Sequence, residues 1–189
     1  MISKKAAKPT FNVSQKELVK LGTYNGFTVG YFKLTAPTQK DMIKKVYKIR
    51  SNYKKWIDEA RARIQKIGFR WKRTALVFTD YAPGNLKNKP AGGASSHLII
   101  ISPDSDPAFI VDTIVHEWSH QWLFNQSEEI KNKIEEVRKG VKKEKNWYQY
   151  FGDYAISNLD EFWVFLIEKY DRLPKKYQNF VKEIVFLGN

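Results

Sequence analysis

The chain has 189 residues, 42% hydrophobic and 15% aromatic, enough to bury one sizeable core in a single domain spanning 1–189. It has no cysteine, which excludes a disulfide scaffold, a thiolate metal site and a cysteine nucleophile. Its net charge of +13 is unevenly placed: residues 1–73 carry 19 Lys/Arg against 4 Asp/Glu, and residues 74–189 carry 14 against 16.

A basic half of this kind favours an anionic partner such as nucleic acid, anionic lipid or an acidic protein surface. The plainer reading is a well-solvated helix face. No run approaches the ~20 apolar residues of a membrane span. Met1 to Ser14 is basic but lacks the apolar centre of a signal peptide, so a cytoplasmic or virion-associated setting is favoured over a secreted one.

In chain order, residues 1–10 read as a mobile basic arm. Leu18–Leu21 and Phe27–Phe32 flank Tyr24-Asn25-Gly26, and Asn-Gly between apolar runs predicts a hairpin. From Thr38 to Phe69 the apolar residues Ile43, Val46, Tyr53, Ile57, Ala60, Ile64 and Ile67 recur mostly at helical steps. Lys44, Lys45, Lys48, Arg50, Lys54 and Lys55 lie off that stripe, and Gly68 supplies a stop. Trp71–Thr79 and His97–Ile101 read as buried strands, joined by a Gly/Pro/Asn/Lys-rich connection over 81–96.

Ser105 or Asp106 then caps a helix with Pro107 in its first turn, running to about Asn125. Ile130, Ile134, Val137 and Val141 mark a thin amphipathic helix broken near Gly140. Trp147–Ser157 reads as an aromatic loop, Leu159–Tyr170 as a strongly apolar helix and Lys176–Leu187 as a short terminal one. This order predicts an α+β domain with helices packed on a small sheet.

The helix from Pro107 carries His116-Glu117-Trp118-Ser119-His120, an HExxH run that holds two of the chain's three histidines. Residues i and i+4 stack on one helix face, so His116 and His120 can bind one metal ion, and Glu117 between them can act as general base. Catalytic zinc usually takes a third protein ligand and leaves a fourth position for water. His97 is the only histidine left, and it lies upstream near a strand start. Glu161, in the first turn of an otherwise apolar helix, is the better candidate, because a carboxylate facing such packing is costly unless paired or metal-bound. Asp160 is a further alternative. Asn158 and Glu161 also have the spacing of a capping box, which by itself would account for the glutamate.

His-Glu-x-x-His followed by Tyr154-Ala155-x-x-Asn158-x-x-Glu161-Phe162 resembles the metalloprotease domain of anthrax lethal factor and its relatives, among them the small Pro-Pro endopeptidases. These are gluzincins. The resemblance covers about a quarter of the chain, and it implies a zincin-like fold with a small mixed sheet, an HExxH helix and further C-terminal helices. It also implies one Zn2+ per chain held by His116, His120 and Glu161, Glu117 as base, and Tyr154 directed at the carbonyl of a protein or peptide substrate. Tyr148 and Tyr150 are alternatives for that last role.

Two departures stand out. Relatives often carry an acidic residue where this chain has Phe165, so that supporting role is unfilled or moves to Glu168. The segment 127–145 is longer and more charged than the family pattern. Zincins pair substrate with a sheet edge, expected here near Gly92–Ser96. Asp112, one turn before His116, is a candidate to orient its ring. Proteases of the SprT type are also basic and act at DNA, but they use a third histidine after HExxH, and none follows here.

Overall fold

A computed structural model describes residues 18–32, 39–70, 74–79, 92–102, 107–144 and 147–189. The expected basic arm, the capping Ser105 and Asp106, and most of the connection over 81–96 lie outside the described residues.

The hairpin forms as expected from β1 (Leu18–Tyr24) and β2 (Phe27–Phe32). Asn25 and Gly26 take positive φ values of 46° and 86° between them, the backbone that an Asn-Gly turn supplies at little steric cost. A long helix, α1 (Gln39–Ile67), then crosses to β3 (Thr74–Thr79), which lies parallel to β2. Gly68, at φ 111°, stops α1 as read from the sequence. β4 (Gly92–Ala94) and β5 (Leu98–Ile101) complete one five-stranded mixed sheet in the order β1-β2-β3-β5-β4. β5 runs parallel to β3, while β4 is antiparallel to β5 and forms the sheet edge.

The helices follow as α2 (Pro107–Phe124), α3 (Glu128–Val141), α4 (Asp153–Ser157), α5 (Leu159–Glu168) and α6 (Lys175–Gly188). The chain is therefore α+β, with a small mixed sheet and several helices. The expectation for the aromatic stretch needs correction. The segment 147–157 is not a loop: it holds a 3₁₀ turn, Trp147–Gln149, and then α4. The helix at 128 ends at Val141, beside Gly140 as expected, and Ser127 caps it by accepting from the Ile130 N–H.

Alternate residues of the central strands (Phe27, Val29 and Tyr31; Leu76 and Phe78; Ile99 and Ile101) are wholly buried and join the helices in one apolar cluster. Trp118 and Trp122 bring α2 into that cluster. Phe69 meets both rings edge-on at 5.2 Å, and Trp163 of α5 stacks on Trp122 at 5.0 Å. Fixing this side of α2 in the core fixes its rotation, so the opposite side, where His116 and His120 lie, is turned out of the core. Ile43, read as part of the core stripe, is instead 59% exposed. The packed face of α1 is carried by Ile49, Tyr53, Trp56, Ile57, Ala60, Ile64 and Ile67. Among the described residues, no helix is long and apolar enough to cross a membrane.

Candidate metal centre

His116 and His120 are one helical turn apart on α2, and their Nε2 atoms lie 3.2 Å from each other. Glu161 of α5 completes the group: its Oε1 is 3.6 Å from His120 Nε2 and its Oε2 is 4.0 Å from His116 Nε2. One ligand atom from each of the three residues falls within 4.8 Å of the others, so the group could hold a metal ion. Tetrahedral ligands at the ~2.0–2.1 Å of zinc–nitrogen and zinc–oxygen bonds are about 3.3 Å apart; the two histidine nitrogens match that value, and the nearest Glu161 oxygen to each lies farther out, at 3.6 and 4.0 Å. His97 and Asp160, the alternatives for the third position, are not in the group.

The helix cap and the approach to the histidines coexist. Asn158 separates α4 from α5 in an extended conformation, and its Oδ1 accepts the Glu161 N–H at 2.9 Å. The Glu161 carboxylate itself is turned toward the histidines. The capping box spacing therefore explains the backbone of Glu161 but not the position of its carboxylate.

Glu168 is seven residues after Glu161, two helical turns, and lies on the same side of α5. Its Oε1 is 3.0 Å from His116 Nδ1. With Nδ1–H donating to this carboxylate, Nε2 carries the lone pair that faces His120 and Glu161. Asp112 does not take that part, because Arg63 of α1 donates to its carboxylate instead. Phe165, where the resemblance led to an acidic residue being expected, packs on Phe151.

Glu117 is 93% buried beside the histidines. Burial pushes its carboxyl up to about 7; the charge on His116 opposes this, and those of Glu161 and Glu168 add to it. For His116, burial works to lower the imidazole pKa. The hydrogen bond to Glu168 and the charges of Glu117, Glu168 and Glu161 outweigh it, and the net shift is upward. A buried carboxyl and an imidazole with shifted pKa in one cleft make this the candidate functional site.

A cleft of about 680 Å³ runs along the histidine side of α2 from Phe109 to Phe124. One wall is the edge strand β4, through Gly93 and Ala94; the other is Tyr154, Asn158, Asp160 and Glu161. The expected edge at 92–96 is thus where the sheet places it. The helix also holds that edge in register: Gln121 Nε2 donates to Ser95 O at 3.1 Å and Asn125 Nδ2 to Ser96 O at 3.0 Å.

Tyr154 stands on α4 at the cleft wall, 70% exposed. Partial burial, a hydrogen bond to Glu161 and the charges of Glu161 and Glu117 raise its phenol above the usual tyrosine value, so it keeps its proton at neutral pH. Tyr148 and Tyr150 are exposed and do not line this cleft. Arg138 of α3 anchors the end of α4: it donates to Ile156 O at 2.6 Å while forking onto both oxygens of Glu135. Nothing in the sequence pairs Arg138 with a carbonyl 18 residues away, so this anchor could not have been read there.

No protein-family model, curated protein or solved structure matches the chain.

Proposed function

We propose that the chain is a zinc-dependent endopeptidase of gluzincin type with a zincin-like fold. His116, His120 and Glu161 would hold the ion. One observation carries this reading: a His/His/Glu group close enough to share one ion lies in a cleft with a buried carboxyl of raised pKa, beside a sheet edge.

When bound, zinc supplies Lewis-acid chemistry, acidifying water and polarising a carbonyl. Glu117 accepts a proton from the attacking water and returns it to the leaving amine. Burial beside the histidines raises the proton affinity of this carboxyl above that of an exposed one, which favours its acting as base. Tyr154 donates its hydroxyl hydrogen to the carbonyl oxygen as charge develops there. Glu168 holds the His116 ring with Nε2 facing the site. An extended segment of protein or peptide substrate adds to β4, whose outer edge carries no further strand among the described residues.

The test compares wild type with Glu117→Gln on a peptide library. Wild type should cleave, and the variant should keep zinc without cleaving.

A second reading is favoured by the charge asymmetry of the chain. It is a basic, nucleic-acid- or virion-associated protein in which the zincin fold and its metal are structural. It predicts a zinc-loaded wild type that cleaves no peptide and unfolds when the zinc is removed.

A further inference from the structure

We propose that the outer face of the N-terminal half of α1 binds single-stranded nucleic acid. This inference does not depend on the peptidase reading.

At about 100° per residue, Lys40, Ile43, Lys44, Arg50, Ser51 and Lys54 all fall within about 60° of Tyr47 on the helix surface. Every one of these side chains is exposed, Tyr47 over 73% and Ile43 over 59% of its surface. The opposite side of the same turns is fixed in the core by Ile49, Tyr53 and Trp56. Four cations thus flank one projecting aromatic ring along about 21 Å of rigid helix.

These cations are not neutralised locally. Among the described residues, no carboxylate pairs with Lys40, Lys44, Arg50 or Lys54. Asp41 is the one acid within these turns and lies about 120° from Tyr47 around the helix, while beyond the stripe Asp58 accepts from the Tyr24 hydroxyl and the Asn25 amide, and Glu59 pairs with Lys55. Lys54 Nζ sits 5.5 Å over the Tyr24 ring, which positions it without cancelling its charge.

The chemistry favours one class of anion. A membrane-surface helix needs a broad apolar face to bury in lipid, but the apolar face of α1 is already in the protein core. Only Ile43 and Tyr47 remain for lipid. A duplex would satisfy the cations yet leave Tyr47 idle, because its bases are stacked on one another. An unpaired strand uses both features, with phosphates along the cations and a base on the tyrosine ring. The stripe ends nine residues before Arg63, about 14 Å along the helix from the pair that Arg63 makes with Asp112 at the cleft. A strand bound here leaves the cleft open.

The test is fluorescence anisotropy of a labelled 20-mer oligothymidylate with the full chain, from 50 to 200 mM salt. Four neutralised phosphates contribute about −2.8 to the slope of log K against log salt, roughly 50-fold in affinity over this range. Lys40→Glu/Lys44→Glu/Arg50→Glu/Lys54→Glu should remove that part of the slope while circular dichroism and thermal unfolding match wild type. Tyr47→Ala should weaken oligothymidylate binding about tenfold and leave duplex binding unchanged. No retention at low salt, or a quadruple variant with the wild-type slope, would overturn the proposal. So would tighter binding to phosphatidylserine vesicles than to oligothymidylate.

Discussion

Glu168 Oε1 lies 3.0 Å from His116 Nδ1, and Glu161, two turns earlier on the same side of α5, approaches Nε2 of the same ring. One helix therefore addresses both nitrogens of His116, one as a candidate metal ligand and one as the acceptor that sets the tautomer. Glu168→Gln should weaken zinc binding about 10–100-fold, the usual cost of losing an acceptor behind a ligating histidine. Competition with a chromophoric chelator measures it, and an unchanged affinity would reduce Glu168 to a surface contact.

Asn158 and Glu161 separate the cap from the ligand. Asn158→Ala loses the acceptor for the Glu161 N–H and should cost about 1 kcal/mol of stability while zinc content stays at wild-type level. Glu161→Ala should do the reverse, abolishing tight zinc binding with little effect on the stability of the metal-free chain. Equal zinc loss in both variants would mean that the cap, not the carboxylate, organises the site.

The metal-free protein should lose stability as pH rises. Glu117 has a folded pKa of about 7 against an ordinary 4.5, so the unfolded chain releases this proton first. The stabilising contribution is complete below about pH 4.5 and is lost by about pH 7. His116, also raised, contributes below its ordinary 6.5 and loses that contribution as pH climbs through its folded value, so the pair, coupled through their charges, acts in the same direction. At 1.36 kcal/mol per pKa unit, the Glu117 part is as much as about 3 kcal/mol. Urea midpoints in chelator from pH 4.5 to 8 would show the slope, and Glu117→Gln should flatten it.

Tyr154→Phe should keep zinc and lower kcat by about 10²–10³, as expected for loss of one donor to a developing oxyanion. Because the phenol pKa is raised, wild-type activity should not fall off through deprotonation of this group near pH 9. A phenylalanine variant with wild-type kcat would remove Tyr154 from the chemistry.

Much of the scaffold was legible because its signals are local. The Asn25-Gly26 turn and the Gly68 stop follow from residue type and short-range pattern, whereas the edge near Gly92 was expected only from the zincin resemblance, inside a stretch that reads locally as a connection. His116 and His120 were legible for the same reason, since i, i+4 spacing fixes a shared face on any helix. Glu161 and Glu168 also share a face by spacing, but that they meet α2 depends on the packing of Trp163 against Trp122, which no local pattern encodes.

The same holds for Asp112. Its position one turn before His116 suggested a partner for the ring, but tertiary packing brings Arg63 to it instead. Ile43 shows the limit in reverse: helical periodicity placed it in the core, while the sheet and helices that cover α1 leave it exposed. The α4 turn was read as loop because five residues rich in aromatic and polar neighbours give too short a window for a helical period.

The pairing of His116, His120 and Glu161 around one ion is tested most directly by zinc titration of the metal-free chain in a calorimeter. A gluzincin-type site predicts one equivalent bound with proton release, and loss of that binding in each of His116→Ala, His120→Ala and Glu161→Ala. Absence of binding by the wild type, or full binding by Glu161→Ala, would contradict it.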